Sequence, residues 1–373
     1  MYILSSNRDL EDFVIGATIL GTGGGGDPND GLRMLREVVS SGKSIKVVDI
    51  GEVTESGIFA VPYYVGTVAP DAVIKKPARI KDPIYTAYNE FIKVLDSDVV
   101  GFIATEMGGG NTPVAMYIAS MLNKPVIDGG DMIGRAAPEL LQSTANIVGI
   151  PLSPPAVVVS ETGNIVIIKE YSDLEDYEAI ARYISILAGK HAVVIDTPMT
   201  KQQAEEALVR GTISLALKLG KAVRETLEKR GDIALTVAKV LNGWVVFRGV
   251  IDRYDWRNEG GFLIGDLLVR GGIGRWSGMV FRSWIKNEHI IAFINDKPVI
   301  MPPDLIMVLG REGPITNDKL KVGDEVTIVA AAAPAIWRSD KGLELFGPRH
   351  FGFNYDYVPV EELVRSYGVV EYG

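Results

Sequence analysis

Apolar residues near the start of the chain fall at Leu10, Phe13, Val14, Ala17 and Leu20, the three-and-four spacing of one helix face, behind Ser6 and Asn7 as cap candidates. The spacing returns at Leu32, Leu35, Val38 and Val39, entered through Asp27 as N-cap with Pro28 at the first helical position. A glycine run, Gly21-Thr-Gly-Gly-Gly-Gly26, therefore joins helix to helix. The pattern then shortens to strands at 45–50, 58–65 and 99–104, the last continuously apolar as expected for burial on both faces. Residues 105–111 close that strand. Asn111 or Thr112 can cap the next helix, which runs to about Leu122 and into a short strand at 125–128, a parallel β-α-β unit.

A helix over 133–145 and a hairpin around 161–164 follow, with a proline-rich stretch at 151–155 just before the hairpin. Helical spacing resumes at 174–188, a strand at 192–196 comes next, and 201–229 reads as two helical segments parted near Gly211. Beyond them the period is mostly two, with strands at 243–253, 261–269, 276–284, 290–294, 305–309 and 324–330. The expected fold is an α/β N-terminal domain with parallel β-α-β elements at 1–168, then a β-rich α+β C-terminal domain at 169–373. No repeat or low-complexity linker separates them, so the halves should pack directly, and their interface is a natural place for a site.

Composition narrows the chemistry. The 373 residues, 47% apolar and 23% charged, suffice for two full cores. A net charge of -9 with scattered Lys and Arg argues against nucleic acid. The start lacks a basic segment and a long apolar core, and the longest apolar run, 326–337, is broken by Pro334, so a soluble cytoplasmic protein with no membrane partner is expected. There is no cysteine, and the 3 histidines, His191, His289 and His350, are widely spread. Carboxylates must carry most acid/base or metal chemistry.

The glycine run formally fits G-x-G-x-x-G, yet that fingerprint follows a strand and this one follows a helix. No lysine is placed for phosphate, and Asp27 would repel one. The run either permits close packing or lines a site for a small neutral ligand, with Gly23, Gly24, Gly25 and Asp27 as candidates. Glu106, followed by Gly109 and Asn111, is a candidate general base, metal ligand or hydrogen-bond acceptor, or else a turn-stabilising residue. Ligands of open α/β sheets lie beyond the carboxyl ends of strands, where Glu106 and Asp128 should share one crevice. In 128–139, Asp128, Asp131, Arg135 and Glu139 form either a reactive acid group or an internal ion-pair network. Asp304 follows two prolines as a cap or strand start, while Arg349 and His350 occupy a loop between glycines. Trp244, Tyr254, Trp256, Trp276 and Trp284 fall on strand-like segments and read as packing.

Taken in order, the motifs at 21–28, 106–111, 128–139, 303–306 and 347–352 resemble the S-methyl thiohydantoin desulfurase family, often found beside hydantoinase/oxoprolinase-type enzymes. The likeness spans nearly the whole chain. Where the family pattern is Asp-Ala-Asp-x-x-Gly-Arg-Ala-Phe-Pro-Glu, this chain has Asp128-Gly-Gly-Asp131 and Ala137, which leaves the separate roles of Asp128 and Asp131 open. The resemblance implies hydrolysis of an S-methylated thiohydantoin to a hydantoin with loss of methanethiol. It implies Glu106 as general base, and Asp128 or Asp131 on ring N–H groups or a metal. Asn111 and the glycine amides would hold the ring carbonyl; Arg135, Arg349 and His350 would serve substrate recognition or protonation, with Gly109, Glu139 and Asp304 in the binding set. Two other readings stay open: hydrolysis of a related hydantoin or cyclic imide assisted by a divalent metal ion, and a non-catalytic cyclic-amide-binding partner of a hydantoinase-type enzyme. A homo-oligomer is compatible with either, no cysteine nucleophile is required, and the one cofactor left open is a divalent metal ion.

Overall fold

The computed structural model describes residues 1–54, 56–130, 134–151, 155–272, 274–368 and 371–372. A short strand, β1 (Tyr2–Leu4), precedes helices α1 (Asn7–Leu20) and α2 (Pro28–Ser40), which Ser6 and Asp27 cap by accepting from Asp9 N and Asn29 N. Then come β2 (Ile45–Val48), β3 (Ile58–Gly66), α3 (Pro83–Val94), β4 (Val99–Ala104), α4 (Thr112–Met121) and β5 (Val126–Gly130). After α5 (Thr144–Val148) the chain adds β6 (Ala156–Val159), β7 (Ile165–Ile168), α6 (Leu174–Ala188), β8 (His191–Thr200), α7 (Lys201–Ala207) and β9 (Val209–Arg210).

These strands make one sheet in the order β1-β2-β5-β4-β3-β8-β6-β7, with β9 on β5. Its centre, β2-β5-β4-β3, is parallel, and β4-α4-β5 is the expected parallel unit, pairing Phe102 with Val126. The flanking strands are antiparallel, and β8 and β9 come from beyond residue 168. The helix expected at 133–145 does not form. Gly134 takes φ +67°, residues 134–143 make turns, and only Thr144–Val148 is helical. Arg135 and Glu139 engage distant partners there, and tertiary bonding overrides local helical preference.

Helices α8 (Thr212–Glu228) and α9 (Ile233–Leu241) lead into the second sheet. α8 lies tight against α1: a Cβ on Gly220 would sit 1.6 Å from Asp12 O, and one on Gly16 1.8 Å from Ala216 O. Next are β10 (Trp244–Glu259), β11 (Phe262–Gly271), β12 (Val280–Lys286), β13 (Glu288–Ile294), β14 (Lys297–Ile300), β15 (Leu305–Leu309), β16 (Glu325–Ala331), α10 (Asp340–Phe346), α11 (Val360–Tyr367) and β17 (Glu371–Tyr372). They form an antiparallel sheet ordered β14-β13-β12-β11-β10-β16-β15, with β17 on β10. Trp276 sits in a turn, not a strand, and donates from Nε1 to Val246 O. The fold class is as expected. One apolar cluster containing Phe13, Phe102, Phe247 and Ile306 runs through both domains, so they share a core. A second fills the other face of the first sheet around Phe59, Val158 and Tyr177.

Candidate active site

A cavity of about 250 Å³ lies where the ends of β3 and β4, the glycine run and the β12–β13 turn meet. Its walls are built partly from glycine because two glycine loops interlock. A Cβ on Gly25 would lie 2.5 Å from Gly108 Cα, and one on Gly31 1.9 Å from Gly109 O. Gly110 N and Asn111 N both donate to Gly25 O, each at 3.0 Å. Gly23, Gly25 and Gly26 hold φ of 96°, 74° and 80°, where a side chain is strained. Close packing thus accounts for Gly25, Gly108 and Gly109, and Gly109 sits against Thr18 and Pro28 outside the cavity lining. Gly23, Gly24, Gly25, Gly26 and Asp27 do line it. The amides of Gly26 and Asp27 have no hydrogen-bond partner among the described residues.

Glu106 follows β4 and faces this cavity, buried. Asn111 Nδ2 donates to its Oε1 at 2.6 Å, and Ala137 N donates to its Oε2 at 2.9 Å. Asn111 caps nothing; it spans to β3, accepting from Tyr64 N and donating to Tyr64 O. Thr112 ties the turn instead, donating to Glu106 O and accepting from Gly108 N. Burial pushes the Glu106 carboxyl up to about 7, against those two hydrogen bonds and the charges of Arg135 and Arg182.

A second acid, Glu288 at the head of β13, lines the same cavity at 2% exposure. Its Oε1 accepts from Gly25 N at 3.2 Å, and it fills the place where a Cβ on Gly24 would go. Its Oε2 is buried without a partner, as is Thr105 Oγ1 on the same lining. Burial first, and the Glu106 charge second, lift the Glu288 carboxyl well above the ordinary range. The sequence reading passed over Glu288. Its signal was an acid and a histidine, Glu288 and His289, opening the apolar run 290–294, every position of which is buried.

The remaining candidates divide sharply. Arg135, fully buried, donates to Ala136 O (3.0 Å), Pro303 O (3.3 Å), Asp304 O (2.8 Å), Thr22 Oγ1 (2.7 Å) and His289 O (2.9 Å). Every guanidinium N–H is used, none on a carboxylate. It is no ion-pair partner for neighbouring acids but a buried charge that Glu288, Asp304 and Glu106 feel through space; burial brings its pKa down to about 10. Glu139 lines the cavity and is saturated by Lys286, by His350 Nε2 at 2.6 Å and by Gln142. Burial raises its carboxyl, but the His350 bond and the charges of Lys286 and His350 outweigh it and hold the group at about 2.

Four expectations fail on placement. Asp128 does not share the crevice with Glu106: its side chain accepts from Ser214 N at 2.9 Å and supplies the cap that Gly211 cannot give α8. Asp304 sits outside the lining, receiving Ala333 N, Val360 N, the Tyr357 hydroxyl and two Arg338 nitrogens. Arg349 is exposed and paired with Asp356 at 2.9 Å. His350 reaches the site only through Glu139. The histidine on the wall is His191, 4.5 Å from the Tyr64 ring, and burial draws its pKa down to about 4. Asp131 lies outside the described residues. Among the described residues no three His, Asp or Glu side chains converge to hold a metal ion, and no helix is long and apolar enough to cross a membrane.

Fold and site together define a two-domain α/β protein with a small acid-lined cavity between its domains. Models of the S-Me-THD-like N-terminal and C-terminal domains match residues 8–170 and 172–360. The chain belongs to the S-Me-THD-like family. A crystal structure of a structural-genomics target from Chromobacterium violaceum is similar in fold, with a TM-score of 0.77 at 22% identity over 96% of this chain and 100% of that one. No curated protein matches the chain significantly.

Proposed function

We propose that this protein is a hydrolase of a small five-membered cyclic amide, converting an S-methyl thiohydantoin to the hydantoin with release of methanethiol. Family membership supports the substrate class. The observation that carries the reading is Glu106: a buried carboxyl held by Asn111 and Ala137 N at the cavity wall, and lifted to about 7. A base with its midpoint near the working pH is suited to taking a proton from water.

The cavity, about 250 Å³, lies below the ~300–1,000 Å³ of drug-sized pockets and suits one small ring. In this reading Glu106 deprotonates a water that adds to the ring carbon bearing sulfur. The unpartnered amides of Gly26 and Asp27 donate to the ring carbonyl or to the charge that develops on it. The test incubates purified protein with a panel of S-methyl thiohydantoins and hydantoins, scoring free thiol and ring opening separately. Thiol release that Glu106→Gln abolishes is the expected result. Release of no thiol from any member, or full activity in that variant, overturns the reading.

A further inference from the structure

We propose that Glu288 is the general acid of this site, giving a proton to the departing sulfur while Glu106 takes one from water. The inference rests on the hydrolase reading above.

The two acids come from opposite domains, Glu106 from the end of β4 and Glu288 from the start of β13, and they meet on one cavity. They are not equivalent. Glu106 receives a donor on each oxygen, whereas Glu288 receives only Gly25 N, on Oε1. An ionised carboxylate in a buried place needs several donors or a paired cation. Glu288 has no ion-pair partner among the described residues, and its second oxygen has none of any kind. A neutral carboxylic acid fits such a place, with its hydrogen on Oε2, the buried oxygen without a partner on a residue that lines the cavity.

The charged surroundings sort the pair the same way. Arg135 and Arg182 favour ionisation of both acids, and the charge on Glu106 opposes ionisation of Glu288. The other titratable groups on this lining are already engaged or carry no carboxyl: Asp27 with Asn29 N, Glu139 with Lys286 and His350, Asp318 with Lys319, Asp30 with Arg33, Arg182 with Glu178, and the His191, Lys190, Tyr63 and Tyr64 side chains. Two carboxyls pushed to different affinities by their environments are the usual marks of base and acid.

The chemistry balances with water alone. Water oxygen bonds to the ring carbon, Glu106 accepts one hydrogen, and the C=N electron pair moves to the ring nitrogen, which takes that hydrogen from Glu106. The C–S bond then breaks with its electron pair on sulfur, and Glu288 supplies the proton that completes methanethiol. As the adduct hydroxyl becomes the hydantoin carbonyl, its hydrogen restores Glu288. Both hydrogens of water thus end in products, one on nitrogen and one, by exchange through Glu288, on sulfur.

If Glu288 only props the glycine run, Glu288→Gln keeps the bond to Gly25 and acts alike on every substrate. The test compares an S-methyl with an S-(2,2,2-trifluoroethyl) thiohydantoin, whose fluorinated thiolate leaves without help. The variant should lose about 10²–10⁴-fold in kcat on the methyl substrate and stay within about tenfold of wild type on the fluorinated one. Glu106→Gln should be slow on both. An equal loss on both substrates in Glu288→Gln overturns the assignment.

Should that variant fail to fold, the wild-type pH profiles decide. An alkaline fall in kcat for the methyl substrate that is absent for the fluorinated one supports the acid; the same profile for both overturns it. Were wild type to release no thiol at all, the hydrolase reading would fail on its own. Infrared difference spectra would then still test Glu288, a protonated-carboxyl band at neutral pH supporting its neutral state and a carboxylate band refuting it.

Discussion

Asp304 and Glu288 are both buried acids of the second domain, and they have opposite company. Asp304 receives five donors, two of them from Arg338, and so binds the ends of β15 and β16 to the start of α11, which Pro359 cannot cap by side chain. Glu288, on a cavity wall, receives one donor and leaves a buried oxygen without a partner. Burial raises the carboxyl pKa of both. Burial and a raised pKa therefore do not separate a reactive acid from a structural one; unmet hydrogen-bonding capacity on a cavity wall does.

The comparison breaks most visibly at Asp304. Asp304→Ala should cost about 3–5 kcal/mol, because it leaves the amides of Ala333 and Val360 and the Tyr357 hydroxyl without an acceptor and takes from Arg338 one of its two carboxylates, Glu361 remaining, and a urea or guanidinium midpoint would register it. A drop under about 1 kcal/mol would deny that cluster its structural role. Glu106→Gln should do the reverse, lowering methanethiol release about 10²–10⁴-fold at a smaller cost in stability, about 1–3 kcal/mol, since the carboxamide nitrogen must face one of two N–H donors, Asn111 Nδ2 or Ala137 N.

The pH dependence sharpens the contrast. Glu106 is lifted to about 7 in the folded chain, above the ordinary ~4.3. The folded state then keeps a proton that the unfolded chain has released, so this group's contribution to stability is full below about pH 4 and is lost as pH rises through about 7. Activity needs the ionised base and should climb over the upper part of that window. Asp196, raised to about 6 by burial against the bonds of Tyr177, Tyr63 and Thr197, adds a loss of the same sign at lower pH. Denaturant midpoints at several pH values for wild type and Glu106→Gln would isolate the Glu106 share as the difference between two curves. Parallel curves would mean that Glu106 titrates normally.

Asp128→Ala should have the smallest effect, about 1 kcal/mol for a lost helix cap, with turnover unchanged. A tenfold fall in kcat would return Asp128 to the site.

What could be read from sequence was what lies close along the chain. Glu106, Asn111 and the β4-α4-β5 unit are a strand end, a turn and a helix start in continuous order, and periodicity with glycine chemistry marks all three. Asp128 shows the limit: which face of β5 it takes is decided by the pleat, and that parity turned it toward α8 instead of the cavity. Asp304 and His350 looked like Glu106 on paper, polar residues in rigid loops, because a loop that is fully paired and one that is open share a composition. Glu288 was hidden for another reason. It reaches the site only through the meeting of β13 with a glycine run more than half the chain away, and no local spacing records that.

Arg135 carries a last consequence, for how such a protein can be divided or inherited. Three of its five acceptors, the carbonyls of His289, Pro303 and Asp304, belong to the second domain, and two, Ala136 O and Thr22 Oγ1, to the first. A first domain made alone would hold a buried cation with most of its bonds missing, beside a base that had lost its acid. The two domain models meet in the middle of the sequence, yet the cavity and the bonds of Arg135 need both halves.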